Sequence, residues 1–310
     1  RSLVPSRGLG DVYKRQQLET FVKASPLLMT GLAVAFAFRA KFWNIGAEGQ
    51  LLAGALTATA LGVSLGGIPQ MILLPIIIVA GFLAGGIWAA VPALLKTKLK
   101  VDDVVSTLLL NYVMIHIMGA LLFGPLQQPG SSWPRSSAIV EAACYPILMA
   151  RSRFHLGIPL AFLAVLVVWF INKKTTFGYQ SRAVGVNARA ANFGGINTTK
   201  VIVWTALISG GLAGLAGVGE LCAIQRRLIM DISPGYGYSG IVIAMLGNLH
   251  PIGVFFSSLF FSVIIVGAQT MSRMTGVPTY IAEVIQGMAL MVMLIFLLFT
   301  EYKIKRVHKK

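Results

Sequence analysis

QMILLPIIIVAGFLAGGIWAAVPALLKTKLK, residues 70 to 100, decides how this chain is read. From Gln70 to Leu95 it carries no charged side chain, and then Lys96, Lys98 and Lys100 follow in quick succession. An uncharged run of that length exceeds the roughly 20 residues that an α-helix needs to cross a hydrocarbon core. The lysines at its end mark that end as cytoplasmic, since short inside loops hold the excess of cations.

Working outward, the same pattern recurs along the chain. Candidate spans fall at about 21 to 40, 47 to 66, 69 to 94, 104 to 124, 156 to 171, 199 to 221, 238 to 250, 252 to 270 and 280 to 300. The expectation is an all-α, polytopic transmembrane helical bundle with nine spans, occupying residues 17 to 302. The seventh is too short to cross straight and is bounded by Gly235, Gly237 and Pro251, which suits a half-helix sheltered inside the bundle. Composition agrees: 56% of residues are hydrophobic and 12% charged, with a mean hydropathy of +0.78, so lipid rather than water is the main solvent. The net charge of +16 would suggest nucleic acid in a soluble protein, but here the cations sit in short loops between apolar runs. Topology therefore accounts for them, and no nucleic-acid partner is expected.

Orientation follows from those loops. Lys96, Lys98 and Lys100, then the acid-free stretch from Asn172 to Lys200, then the basic tail of residues 303 to 310 are all assigned to the cytoplasm. Two spans separate the first pair and four the second, so parity and charge agree. The same parity places residue 20 outside, which implies a span before residue 17 and ten spans in the native protein. Residues 1 to 16 are polar, basic and glycine-containing; they are expected to be a non-native or disordered leader. Within the spans, Gly81, Gly85 and Gly86 and then Gly210, Gly214 and Gly217 place small residues one turn apart, as close helix packing in lipid requires.

Several chemistries find no support. Cys144 and Cys222 have no metal or redox spacing, and His116, His155, His250 and His308 are scattered, so no metal site is expected. No glycine-rich phosphate loop ending in Gly-Lys occurs, and no nucleophile is paired with a base, so ATP would have to be bound by another polypeptide.

Three stretches carry more than composition: FWNIGAEGQ at 42 to 50, GYQSRAVGVNARAANFGGINTTKV at 178 to 201, and GYGYSGIVIAMLGNLHPIGV at 235 to 254, continuing to MTGVPTYIAEVIQGM at 274 to 288. In this order they resemble the permease subunits of bacterial nucleoside and simple-sugar ABC importers, in the broad group that includes branched-chain amino acid and ribose permeases. The resemblance runs from about residue 20 to the last span. Members of that family carry glycine where Lys41 stands and phenylalanine where Trp43 stands. It implies a multi-pass protein of the bacterial plasma membrane that passes on substrate delivered by an extracytoplasmic binding lipoprotein. It further implies a separate ABC ATPase that holds ATP and magnesium, and a second permease, either a related chain or a second copy. This chain itself would hold no cofactor. Nucleoside and sugar substrates are both compatible.

The resemblance makes the segment around 177 to 197 the coupling helix that docks into the ATPase, through Arg182, Ala183, Gly185, Asn187, Arg189, Ala190, Ala191 and Gly194, with Gly194 and Gly195 ending it in a left-handed cap. The plainer reading is a basic inside loop. Asn44, Glu48 and Gln50 lie where a cytoplasmic turn enters the second span; Glu48 either caps its own helix or belongs, with its neighbours, to a translocation path or gate. Asn111, Glu283 and Gln286 are polar positions within spans that either meet substrate or join helices. Tyr236 and Tyr238 could stack on a nucleobase or anchor the chain at the lipid interface. The outward loop from Pro125 to His155, with Trp133, Pro134, Arg135 and Glu141, is the landing surface for a binding protein. An ion-coupled secondary transporter is the competing class, but acids within the spans are few for it. A helical scaffold for membrane assembly is a third.

Overall fold

The computed structural model describes residues 6–149 and 152–275 together with scattered positions between 280 and 296. The elements run α1 (Ser6–Arg39), α2 (Ala47–Ser64), α3 (Gln70–Leu99), α4 (Asp103–Leu122), α5 (Gly157–Lys174), α6 (Thr176–Val186), α7 (Ala188–Phe193), α8 (Thr198–Gly219), α9 (Tyr236–Leu246) and α10 (Pro251–Thr275). α8 continues as a π-helical turn, Glu220–Gln225, and the loop between α4 and α5 holds one 3-10 turn at Glu141–Ala143. Among the described residues β-structure is confined to three isolated bridges. α1 starts at Ser6, inside the stretch set apart as a leader.

The all-helical class is as expected, while the span count is coarser than nine. Among the described residues six helices are long and apolar enough to cross a bilayer: Gln17–Arg39, Gln70–Leu99, Asp103–Leu122, Gly157–Lys174, Thr198–Gln225 and Pro251–Thr275. α2 has 18 residues but opens on Glu48 and Gln50, whose polarity lowers its mean hydropathy. α9 has 11 residues, about 16 Å of helix against a core of about 30 Å. The segment at 280 to 300 lies largely outside the described residues.

α1 is the axial element. Its apolar window is 89% buried, whereas that of α4 is 28% buried. Leu27, Leu28, Leu32 and Phe36 are enclosed by α5, α8, α9 and α10. The exposed Leu83, Ile87, Leu109, Val113, Leu163 and Phe260 of the outer helices are what a lipid-facing surface requires.

A small-residue seam joins α2, α3 and α8. A Cβ on Gly85 would stand 2.9 Å from the Gly214 Cα and closer still to the Gly210 carbonyl oxygen, and a Cβ on Gly54 would stand 2.6 Å from the Gly214 Cα. Any side chain at these glycines would push backbones apart, so glycine here sets the interhelical distance.

Two irregular segments interrupt the helices of the bundle. Trp43–Gly46 joins α1 to α2, and the stretch from Arg226 to Gly235 leads from the π-helical turn to α9. Lys41 opens the first with φ 51°, the left-handed region that glycine enters without penalty. The glycine of the resembling family at this position thus has a conformational reason.

Candidate functional site

Residues of α4 one turn apart hold the Trp43–Gly46 segment in place. Asp103 accepts from the Trp43 backbone N–H at 2.6 Å. Thr107 accepts from the Ile45 N–H at 3.2 Å, its own proton going to the Asp103 carbonyl one turn back at 2.6 Å. Asn111 donates to the Ile45 carbonyl at 3.0 Å and accepts from the Gly49 N–H at 2.8 Å. Spacing of four puts all three on one helix face. An irregular backbone inside an apolar bundle has no helical ladder of its own, so side chains must help to satisfy it. The Asp103 end of the row is tied by Lys96, whose ammonium lies 2.6 Å from the Asp103 carboxylate and donates to the Lys41 carbonyl at 2.6 Å.

Asn44 and Gln50 exchange two amide hydrogen bonds of 2.9 and 2.8 Å. Asn44 also donates to the Ser209 hydroxyl of α8 at 2.9 Å, and that hydroxyl donates to the Ala33 carbonyl of α1 at 2.7 Å. α1, α2 and α8 are thereby joined through one buried network. Glu48 does not cap its own helix: its carboxylate accepts from the Gly237 N–H at 2.7 Å, in the first turn of α9, and the Ser233 side chain bonds to it too. A carboxylate at a helix N-terminus meets both the free N–H groups and the positive end of the dipole. The Glu48 contact therefore fastens the short helix α9 to α2.

Asn44, Glu48, Gln50 and Asn111 are thus brought together, all buried. Tyr238 joins them by accepting from Asn111 at 3.3 Å, and its ring is 37% exposed. Tyr236 is 2% exposed and its hydroxyl accepts from Lys23, so its ring faces the protein interior. Glu283 and Gln286 lie outside the described residues. Asp103, Thr107, Ser209 and Ser233 were missed; the four-residue spacing of Asp103, Thr107 and Asn111 was the signal that could have found the first two.

The segment at 177 to 197 folds as two helices. α6 is capped by the Thr175 hydroxyl, which accepts from the Gly178 N–H at 3.2 Å. Asn187 ends α6 and caps α7, accepting from the N–H groups of Arg189 and Ala190 at 3.0 and 3.1 Å. Gly195, at φ 85°, supplies the left-handed turn after α7. Gly185 is pressed against the Arg39 carbonyl at the end of α1, and Ala191 is also buried, so these two seat the segment on the chain itself. Arg182, Asn187, Arg189, Ala190 and Gly194 are exposed and Ala183 is half-buried. Two further apolar side chains stand out from the same surface: Phe193 is 96% exposed and Val186 81%.

Over residues 17–295 the sequence matches the family described as the permease component of the branched-chain amino acid transport system. It is similar to the glucose ABC transporter permease protein of Haloferax volcanii, with 34% identity over 92% of this chain and 78% of that protein. It is 35% identical to the guanosine ABC transporter permease protein of Bacillus subtilis, over 86% of this chain and 77% of that one. The nucleoside ABC transporter permease protein NupB of Lactococcus lactis is 29% identical over 86% of this chain and 76% of its own. No solved structure matches.

Proposed function

From the premise that this chain belongs to the permease family of the branched-chain amino acid transport system, we propose that it is the membrane-spanning subunit of an ABC importer that moves nucleosides. It is a transport subunit and not an enzyme: the energy comes from ATP hydrolysed on a partner. The observation that carries this reading is the α6–α7 segment, acid-free, exposed, and carrying Arg182, Arg189 and the uncovered Phe193. A groove on an ATPase that takes Phe193 and sets acids against the arginines would transmit closure of the ATPases to α1 through Gly185. Ala183, Asn187, Ala190 and Gly194 complete that surface, and Ala191 packs beneath it. The network of Asn44, Glu48, Gln50 and Asn111 is the fulcrum on which α9 and α2 move together, the gate reading of these residues.

Orientation follows the cations: Lys96 to Lys100, the α6–α7 segment and the tail at 303 to 310 lie in the cytoplasm. The loop from Pro125 to His155 receives a substrate-binding lipoprotein on the other side, and a second permease, related or identical, completes the pathway. Nucleoside is preferred because two of the three relatives above are named for nucleosides; the glucose permease of Haloferax volcanii favours a simple sugar as the second reading.

The test is deletion of residues 181 to 191, alongside Phe193→Ala. Both are expected to lose capture of the ATPase by the solubilised permease, and the deletion to abolish uptake of labelled guanosine. Uptake that survives the deletion and follows an ion gradient would establish a secondary transporter instead. Competition of guanosine uptake by excess glucose would move the substrate to the sugars.

A further inference from the structure

A slot of about 230 Å³ lies between α1, α3, α5 and α8, away from the Glu48 network. Its walls follow the helices from Gly157 to Val167 on α5 and from Ile224 back to Leu212 on α8, a length of about 15 Å. The two ends differ in chemistry. Toward the 125 to 155 loop it meets Ser25, Tyr145, His155 and Glu220; the opposite end is closed by Met29, Val167 and Leu212. Leu163 and Val167, on its rim, are 53% and 47% exposed on a surface that faces the bilayer, so the slot opens sideways toward lipid.

The polar end is built. His155 Nδ1 accepts from the Gly157 N–H at 3.1 Å, which leaves the proton of the neutral ring on Nε2. Burial holds that imidazole down to about 4, so it stays neutral. The Glu220 carboxyl is buried, bonded to Gln225, and within electrostatic reach of Lys23 and Arg153. Arg153 pairs with Glu19 at 3.5 Å, and both side chains are solvated enough to exchange partners. Pro26 on the slot wall has no N–H, which leaves the carbonyl of Val22, also on the wall, without its helical donor. Gly219 lines the slot too, and a Cβ built there meets no atom within 4 Å.

We propose that the slot binds one acyl chain of a phospholipid with a primary-amine headgroup, the ammonium donating to Glu220 and the phosphate facing Arg153 and Lys23. An apolar trough open to the bilayer takes a hydrocarbon chain without leaving hydroxyls unsatisfied, as a sugar would there. A carboxyl with cations beside it matches the separated charges of a phosphoethanolamine group, whereas a choline group offers no N–H to donate and a glycerol group no cation. The lipid belongs to the outer leaflet under the orientation proposed above; the binding itself does not depend on that orientation or on transport.

Native mass spectrometry of the assembled transporter, reconstituted in turn with ethanolamine, choline and glycerol phospholipids, tests this. The unsubstituted protein is expected to retain ethanolamine lipid roughly tenfold over the other two, the scale of one charge-assisted hydrogen bond. Glu220→Gln should remove the headgroup preference while leaving a bound lipid. Gly219→Phe, which fills the slot from open space, should lose the lipid; Ala164→Ile on the facing wall does the same from a second helix should the first fail to assemble. No lipid retained by the unsubstituted protein, equal retention of all three headgroups, or undiminished lipid in both filled variants overturns the assignment. A slot occupied by a span of a second permease gives the first of these results. Loss of ATPase capture on deleting residues 181 to 191 tests the importer reading separately.

Discussion

Glu48 is the residue on which the interior turns, because its carboxylate is the acceptor for the buried Gly237 N–H at the start of α9. Glu48→Ala leaves that donor buried and unpaired at a cost of about 1–3 kcal/mol. Glu48→Gln keeps a side-chain oxygen in place. Thermal unfolding of the solubilised protein is expected to show a clear drop in midpoint for the alanine variant and a small one for glutamine; equal midpoints for alanine and the unsubstituted protein would mean the contact holds nothing. At this scale the sequence was readable in one direction. Asn44, Gln50 and Asn111 stood out because an amide in an apolar run must find partners. Those partners did not, since Ser209, Gly237 and the backbone of Ile45 look the same in sequence whether or not a buried amide needs them.

Between elements, backbone proximity outweighs side-chain chemistry. α2, α3 and α8 meet at Gly54, Gly85, Gly210 and Gly214, where an added Cβ strikes backbone and no rotamer change relieves it. Gly85→Leu is therefore expected to cost at least 1–3 kcal/mol, about the range for overpacking a close-packed core, and to shift the protein from a monodisperse peak to aggregate in size-exclusion chromatography. Gly219→Ala, one helix face away in open space, should elute normally. The glycine spacing was legible as close packing, and which helices it joined was not, because spacing fixes a face and leaves its partner free. Hydropathy located α2, α4, α5 and α8 to within about three residues, and stopped about five residues short of the ends of α3 and α10. It missed the break at Asn187, which turns the expected single helix at 177 to 197 into α6 and α7, since an asparagine that caps one helix while ending another reads as one more polar residue.

For the whole molecule the governing quantity is the side of the membrane on which each loop lies, and the proposed function requires one answer. α7 must face the ATPase and the 125 to 155 loop must face away from it. The cations favour this, because each lysine or arginine moved across opposes the bias that sets topology. Single cysteines at two exposed positions separate the alternatives: Trp133→Cys in the loop and Asn192→Cys on α7. The native Cys144 and Cys222 are buried, and burial pushes the Cys144 thiol up, so both stay quiet toward a thiolate-selective probe. A membrane-impermeant maleimide on intact cells is expected to label the Trp133→Cys variant at once and the Asn192→Cys variant only after permeabilisation. The reverse pattern would put the arginines of α6 and α7 outside, where no ATP-hydrolysing partner can reach them, and the seating of Gly185 on α1 would then be an architectural contact with no force to carry.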